Sequence, residues 1–379
     1  MRPVTLHGGR HDETGRHHEA GRKDKGVVGA MTTPMPVLDL DDEAAIGAAD
    51  RHAVLRSAAT AGAQLRAAQA AVDEGELTGL AGMRPRSLVL VTAAGRPARA
   101  AALVSSTATL GFPVVRVPTT PSWVGPLDVV VVAGDDAGDP ALAHATDAAL
   151  RRRAETVVVA PFEGPLRDVA AGRARSLAPR IPAHPRHMLM RYLAGFLAVA
   201  AELGRPDEAA AVDLAALADA ADAEAVRGGP GNEIFHNPAK SLASRVHGRR
   251  VVFTGADAPH VELARHAGEA AVFAGAVAAS APLPDVVAAA PTFRPAADVD
   301  PLFFDPDLDD PGDRPIRAFA FSSVADEDTT RRRLATVPDA EVLVASELGE
   351  QSGDVVAQLV TLATRVDLAA AYLQLMGGH

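Results

Sequence analysis

The sequence predicts an α/β protein with two parallel sheets, each flanked by helices. Short runs of apolar β-formers alternate with Ala-rich helical segments, and the runs are apolar at consecutive positions instead of every second one. The alternation stops at a Gly/Pro break and then resumes. Strands that are apolar on both faces are buried on both faces, which is the condition of a parallel sheet covered by helices. At 379 residues the chain has room for two domains of ordinary size, and 48% apolar residues can fill their cores.

Taken in order, residues 1–30 are polar and Gly-rich, with four histidines and two of the three lysines, and are expected to be a disordered leader. Met31 looks like the more natural start. Residues 31–85 form an N-terminal entry segment in which 41–74 carries Leu and Val at helical spacing. The first domain, 86–204, holds strands at "SLVLVTA" (87–93), "PVVRVP" (113–118), "LDVVVVA" (127–133) and "ETVVVAP" (155–161), helices over 94–106 and 140–153, and a long helix ending near Leu203. Residues 205–235, with "RGGP" inside them, are expected to be a linker. The second domain, 236–379, should place strands at 249–255, 316–323 and 341–347, and helices at 259–281, 326–337 and 352–376, with 282–314 a Pro/Asp-rich loop.

Composition removes several classes of function. The chain has no cysteine, so disulfides, thiolate nucleophiles and Cys-ligated metals are excluded, and a reducing cytoplasm is the expected location. No stretch of about 18 residues is both apolar and uncharged, so no membrane association is expected. Net charge is −11 and aromatic content 4%, with one tryptophan, Trp123, and two tyrosines, Tyr192 and Tyr372. A nucleic-acid partner would call for a basic face or stacking aromatics, and neither is evident. No strand is followed by a dinucleotide- or nucleotide-binding glycine pattern. No cofactor and no metal is expected.

The turn "AGDDAGDPAL" after the third strand is where a strand feeding a helix offers backbone N–H groups to an anion. Here Asp135, Asp136 and Asp139 crowd that place. At close range they would repel a phosphate by several kcal/mol. Such acidic turns are more often solvated loops or helix N-caps than Mg²⁺ sites.

Four segments occur in register with the βα pattern: "TTPSWVGPLDVVVVA", "HPRHMLMRYL", "NPAKSLASRVHGRRVVFTG" and "LVTLATRVDLAAAYLQL". Together, from about Asp41 onward, they resemble the double sugar-isomerase (SIS) domain proteins, specifically the bifunctional phosphoglucose/phosphomannose isomerases, and within them a divergent TobH-like branch. The resemblance implies a homodimer that binds a sugar phosphate, with a phosphate cradle, a ring-opening group and a base that shuttles a proton between C1 and C2. The family's first cradle turn falls on "TAAGRPARA", which keeps Gly95 but carries Arg96 where the family has Ser. The second falls on the acidic turn, which has no hydroxyl. Registering "LPDV" (283–286) puts the family's basic Glu at Val272 and its ring-opening His at Ala288, and neither side chain can move a proton. Glu269, one turn before Val272, is the local substitute. Arg186 matches a substrate-facing arginine. Asn237 and Lys240 of "NPAK" complete the expected ligand set, Lys240 being the only lysine outside the leader; packing of its stem is the competing account. The reading is a sugar-phosphate or partner-binding protein of hexose phosphate metabolism with a decayed or rebuilt catalytic site. The alternative is an active glucose-6-phosphate/mannose-6-phosphate isomerase using displaced residues. A histidine and a carboxylate converging in a pocket between the halves would favour the latter.

Overall fold

The computed structural model describes residues 38–204, 212–293, 316–345 and 354–377. The leader expected over 1–30 lies outside the described residues, as do 205–211 of the expected linker and 294–314 of the expected loop. Three helices, α1 (Glu43–Ala49), α2 (Val54–Ala58) and α3 (Ala61–Asp73), enter the fold. The first sheet contains β1 (Ser87–Thr92), β2 (Val114–Val117), β3 (Asp128–Ala133), β4 (Glu155–Val159) and β5 (Arg175–Ser176) in the order β2-β1-β3-β4-β5, all parallel. Helices α4 (Arg96–Thr107), α5 (Pro140–Arg151), α6 (Gly164–Ala170) and α7 (Leu189–Leu203) connect and follow its strands.

After α8 (Leu214–Arg227) and α9 (Pro238–Val246) comes the second sheet, with β6 (Arg250–Gly255), β7 (Val277–Ser280), β8 (Ile316–Phe321) and β9 (Ala340–Leu343) in the parallel order β7-β6-β8-β9. Helices α10 (Ala258–Phe273), α11 (Leu283–Ala288), α12 (Glu327–Arg333) and α13 (Val355–Met376) complete it. In both sheets the order reverses between the first and third strands, which opens a crevice at their C-terminal ends.

Strand alternation assigns the two faces of each sheet. Leu88, Leu90, Val129, Val131 and Val157 turn inward to a large core, which also receives Val251, Phe253, Phe319 and Phe321 from the second sheet. Val89, Val91, Val130 and Val132 turn the other way, toward α5 and α6, and Val252, Ala318 and Ala320 toward α11. The halves therefore share one core, filled by α3, α4, α7, α8, α9, α10 and α13. Much of the segment expected as a linker is α8, whose Leu214, Leu217, Ala218 and Ala221 are buried against α3 and α13.

Helix α13 is, among the described residues, the one helix long and apolar enough to cross a membrane, yet 83% of that window is buried inside the fold. Its two charged residues are paired there. Arg365 donates to Glu224 at 2.6 Å, and Asp367 accepts from His266 at 2.8 Å. The helix expected over 259–281 ends at Phe273. Gly275, at φ +89°, turns the chain in the left-handed region, and 277–280 become edge strand β7.

Candidate functional site between the halves

The elements that face each other across the halves are α4 of the first and α10 of the second. Gly95 precedes α4 at φ +84°, ψ −144°, a backbone that glycine adopts without strain, and no neighbour lies within 4 Å of where a Cβ would sit. This turn aims Arg96 across the junction. Its side chain is 8% exposed, and the guanidinium lies 4.8 Å from the Phe273 ring centroid, donates from Nε to the Arg186 carbonyl at 3.3 Å and approaches Glu269 at 3.9 Å. Its Nη2 is buried with no hydrogen-bond partner.

Arg186 comes from the turn Pro185–His187 before α7. It donates to the Phe273 carbonyl and to Gln374 Oε1, both at 3.2 Å, and lies 5.1 Å from the Phe273 ring centroid. Two guanidiniums thus meet at the C-terminal end of α10, where the helix dipole favours cations. With His187, Ala270, Asp367 and Gln374 they line a narrow cleft of about 10 Å³, room for on the order of one water.

Glu269 is half committed: its Oε2 is buried without a hydrogen-bond partner, 3.9 Å from Arg96 Nη1, and its Oε1 is held elsewhere. Its Oε1 accepts from Arg99 Nε at 2.9 Å, and Glu262 accepts from Arg99 Nη1 at 3.1 Å, so the carboxylate serves an ion network joining α10 to α4. Val272, where the resemblance places the base, is 54% exposed.

Asn237 and Lys240 lie outside this cleft. Asn237 caps α9 by accepting from the Ala239 and Lys240 N–H groups and donates to the Gly229 carbonyl at 2.9 Å. Lys240 is 1% exposed, and its Nζ donates to the Pro230 and Asn232 carbonyls, both at 2.7 Å, 5.7 Å from the Tyr372 ring centroid. Burial holds its pKa below the ordinary range, against the pull of Asp41, Glu43 and Asp39. A compact ammonium suits a turn whose carbonyls converge on one point, and that is what this lysine organises.

The acidic turn splits into three separate tasks. Asp139 caps α5 through the Ala141 N–H at 2.8 Å, and Asp136 accepts from the Gly138 N–H at 2.7 Å. Asp135 accepts from the Tyr192 hydroxyl and from Arg191 at 3.1 Å. Burial and that carboxylate push the Tyr192 hydroxyl far above its ordinary range, although Arg191 pulls the other way.

Sequence reasoning missed two further groups. His187 is 7% exposed, with Nδ1 3.0 Å from Ser57 Oγ, and burial lowers its pKa despite the nearby charge of Asp367. Asp367, 3% exposed, accepts from His266, which is fully buried. The signals in the sequence were the second histidine of HPRH and two charged residues, Arg365 and Asp367, inside a largely apolar helix.

Two parallel sheets of this order, joined through a common helical core with a polar cleft between them, are the double sugar-isomerase-domain fold of the phosphosugar isomerases. Tagatose-6-phosphate ketose/aldose isomerase from Escherichia coli superimposes with a TM-score of 0.59 at 16% identity, covering 86% of this chain and 92% of that one. A glucose-6-phosphate isomerase-like protein from Thermus thermophilus gives 0.52 at 19% identity over 90% and 96%. The C-terminal domain of glucosamine-fructose-6-phosphate aminotransferase from Francisella tularensis gives 0.55 at 9% identity over 86% and 95%. At these identities the likeness establishes the fold. No family model and no curated protein matches the chain in sequence.

Proposed function

We propose that this protein binds a sugar phosphate in the cleft between its halves, with the phosphate on Arg96 and Arg186, and that it acts in cytoplasmic hexose phosphate metabolism as a divergent, TobH-like homodimer. The observation that carries the reading is Arg96 Nη2, a buried guanidinium donor without a partner on a residue that lines the cleft. Leaving such a donor unpaired costs about 1–3 kcal/mol, and a phosphate oxygen is the strong acceptor that fits it. The residues that do the isomerase chemistry in the family have aliphatic counterparts here, Val272 and Ala288, so the inherited catalytic positions are decayed or rebuilt.

The test is thermal denaturation of the full chain with glucose 6-phosphate, mannose 6-phosphate and fructose 6-phosphate, with free glucose as control. Stabilisation by the phosphorylated sugars alone, lost in Arg96→Gln, is expected. A stabilisation that survives Arg96→Gln, or none at all, overturns this placement of the ligand. One observation favours the active-isomerase alternative: a histidine and a carboxylate, His187 and Asp367, both line the cleft.

A further inference from the structure

The first sheet ends at β5, and beside that edge runs an open groove of about 790 Å³, within the range of small-molecule sites. It lies two strands beyond the crevice between β1 and β3, bounded by β5 with its lead-in and by the turn after α3. Leu177 N–H donates to the Val158 carbonyl at 2.8 Å and Arg175 pairs with Val157, so the backbone N–H and C=O of Ser176 between them face away from β4. Leu177 turns its side chain into the large core. Ser176 therefore turns its own to the other face, where Ala174 and Phe162 lie. The Ser176 Oγ is buried with no hydrogen-bond partner, and a hydroxyl that gains nothing in its rotamer is free to turn to a ligand.

The cations around the groove are matched except for one. Arg175 donates from Nε to the Thr78 carbonyl at 2.9 Å and from Nη1 to Glu155. Gly79, at φ +89°, makes room for it, since a Cβ there would lie 2.9 Å from Arg175 Nη2. Arg180 holds Glu74 through two contacts of 2.7 Å and lies 3.9 Å from Glu76. The exposed Arg173 guanidinium lines the same groove and makes no hydrogen bond or ion pair with any described residue.

We propose that this groove binds a nucleoside monophosphate, with the phosphate on the Arg173 guanidinium and the Ser176 hydroxyl and N–H, the ribose hydroxyls on the exposed Glu76 carboxylate, and the base against Phe162. One unpaired cation suits one phosphate group, a carboxylate accepts from a diol, and a half-buried ring offers the flat apolar surface on which a base stacks. A hexose phosphate would leave that ring unused. The proposal is independent of the sugar-phosphate reading of the cleft.

Calorimetry on the full chain with AMP, adenosine and inorganic phosphate tests it. AMP should bind more tightly than either of its parts. Arg173→Gln should weaken AMP about 10- to 100-fold through loss of a charge-assisted bond, whereas Arg167→Gln, an exposed position on α6 outside the groove, should leave it unchanged. Ser176→Ala should weaken AMP without lowering the melting temperature, because the hydroxyl has no partner to lose. Phe162→Leu should weaken AMP and adenosine but not phosphate; if it does not fold, the preference of wild type for AMP over phosphate carries that part of the test. AMP should bind Arg96→Gln as it binds wild type, and the thermal shift from glucose 6-phosphate should be the same in Arg173→Gln. AMP binding no tighter than that of phosphate, unmoved by Arg173→Gln, or weakened as much by Arg167→Gln overturns the proposal. Binding lost in Arg96→Gln also overturns it, by putting the nucleotide in the cleft. Absence of AMP binding overturns it and leaves the cleft reading standing, while absence of the glucose 6-phosphate shift alone sinks the cleft reading and leaves this one.

Discussion

The Tyr192 hydroxyl donates to the carboxylate of Asp135, and Arg191 donates to the same oxygen at 3.1 Å. The crevice at the C-terminal end of β3 therefore contains an anion supplied by the chain itself. Replacing it should create room for an external one. Asp135→Ser with Asp136→Gly frees Arg191, Tyr192 and the backbone donors of the turn, so affinity for inorganic phosphate measured by calorimetry should rise. Unchanged or weaker binding would mean that these acids were not what kept phosphate away.

Lys240 and Asn237 should matter to stability and not to the ligand. Asn237→Ala removes a cap worth about 1 kcal/mol and leaves the Gly229 carbonyl without its donor. Lys240→Met strips two carbonyls of theirs. Both variants should melt earlier than wild type, with the thermal shift produced by a sugar phosphate undiminished. Loss of that shift in Lys240→Met would show that the lysine reaches the ligand.

The buried pair of Arg365 and Glu224 offers a sharper stability test, because Glu224 is fully buried. Removing one partner of such a pair costs about 3–5 kcal/mol, whereas replacing both by apolar residues costs much less. Denaturant unfolding should therefore rank Arg365→Met below the double variant Arg365→Met with Glu224→Leu. Arg227 also binds Glu224, so part of the penalty is offset in the single variant. The opposite ranking would show that the pair stabilises the helix packing beyond its own desolvation.

Acid should weaken the fold in two stages. Burial holds His187 below its ordinary 6.5, so the folded state binds fewer protons than the unfolded one, and stability falls as pH drops from about 6.5 toward its folded value. His184 is lowered too, by burial and by Arg186 and His52, and acts in the same window. Asp128 behaves alike further down. Burial alone would raise it, but Arg86, the Ser87 hydroxyl and the Gly125 N–H hold it below 3.8, so its contribution disappears below about pH 4. Urea midpoints between pH 7.5 and 5 should decline in wild type and decline less in His187→Asn. Asp128→Asn should cost stability at pH 7 and progressively less as pH falls below about 4. A flat profile from pH 7.5 to 5 would contradict the burial of His187 and His184.

The parts of the fold legible in the sequence were those governed by local pattern. The valine runs of β1, β3 and β4 are apolar at every position because helices cover both faces, and that can be read without knowing which helices. Two edge strands were hidden. β5 is only Arg175–Ser176, and β7 reads "VAAS" after an Ala-rich helix, so composition does not mark where α10 stops; Gly275 does, through its positive φ. At the site, Arg96 and Arg186 stood in recognisable segments. His187 and Asp367 could not be paired in advance, since 180 residues separate them and only the packing of α13 brings them to one cleft. Lys240 drew attention for its rarity, and the reason for that rarity is a converging set of carbonyls that no spacing rule reveals.

Helix α13 packs against α2, α8, α9 and α10, so the surfaces it covers are made as much as 300 residues before it is. On the ribosome, α2 and α8 emerge with their apolar sides uncovered and must wait for the last helix to be synthesised. Contacts of such sequence separation close slowly. A nascent chain of this kind exposes sticky surface for most of its translation, and its demand for chaperones should be set by the arrival of residues 355–376 more than by the stability of either sheet.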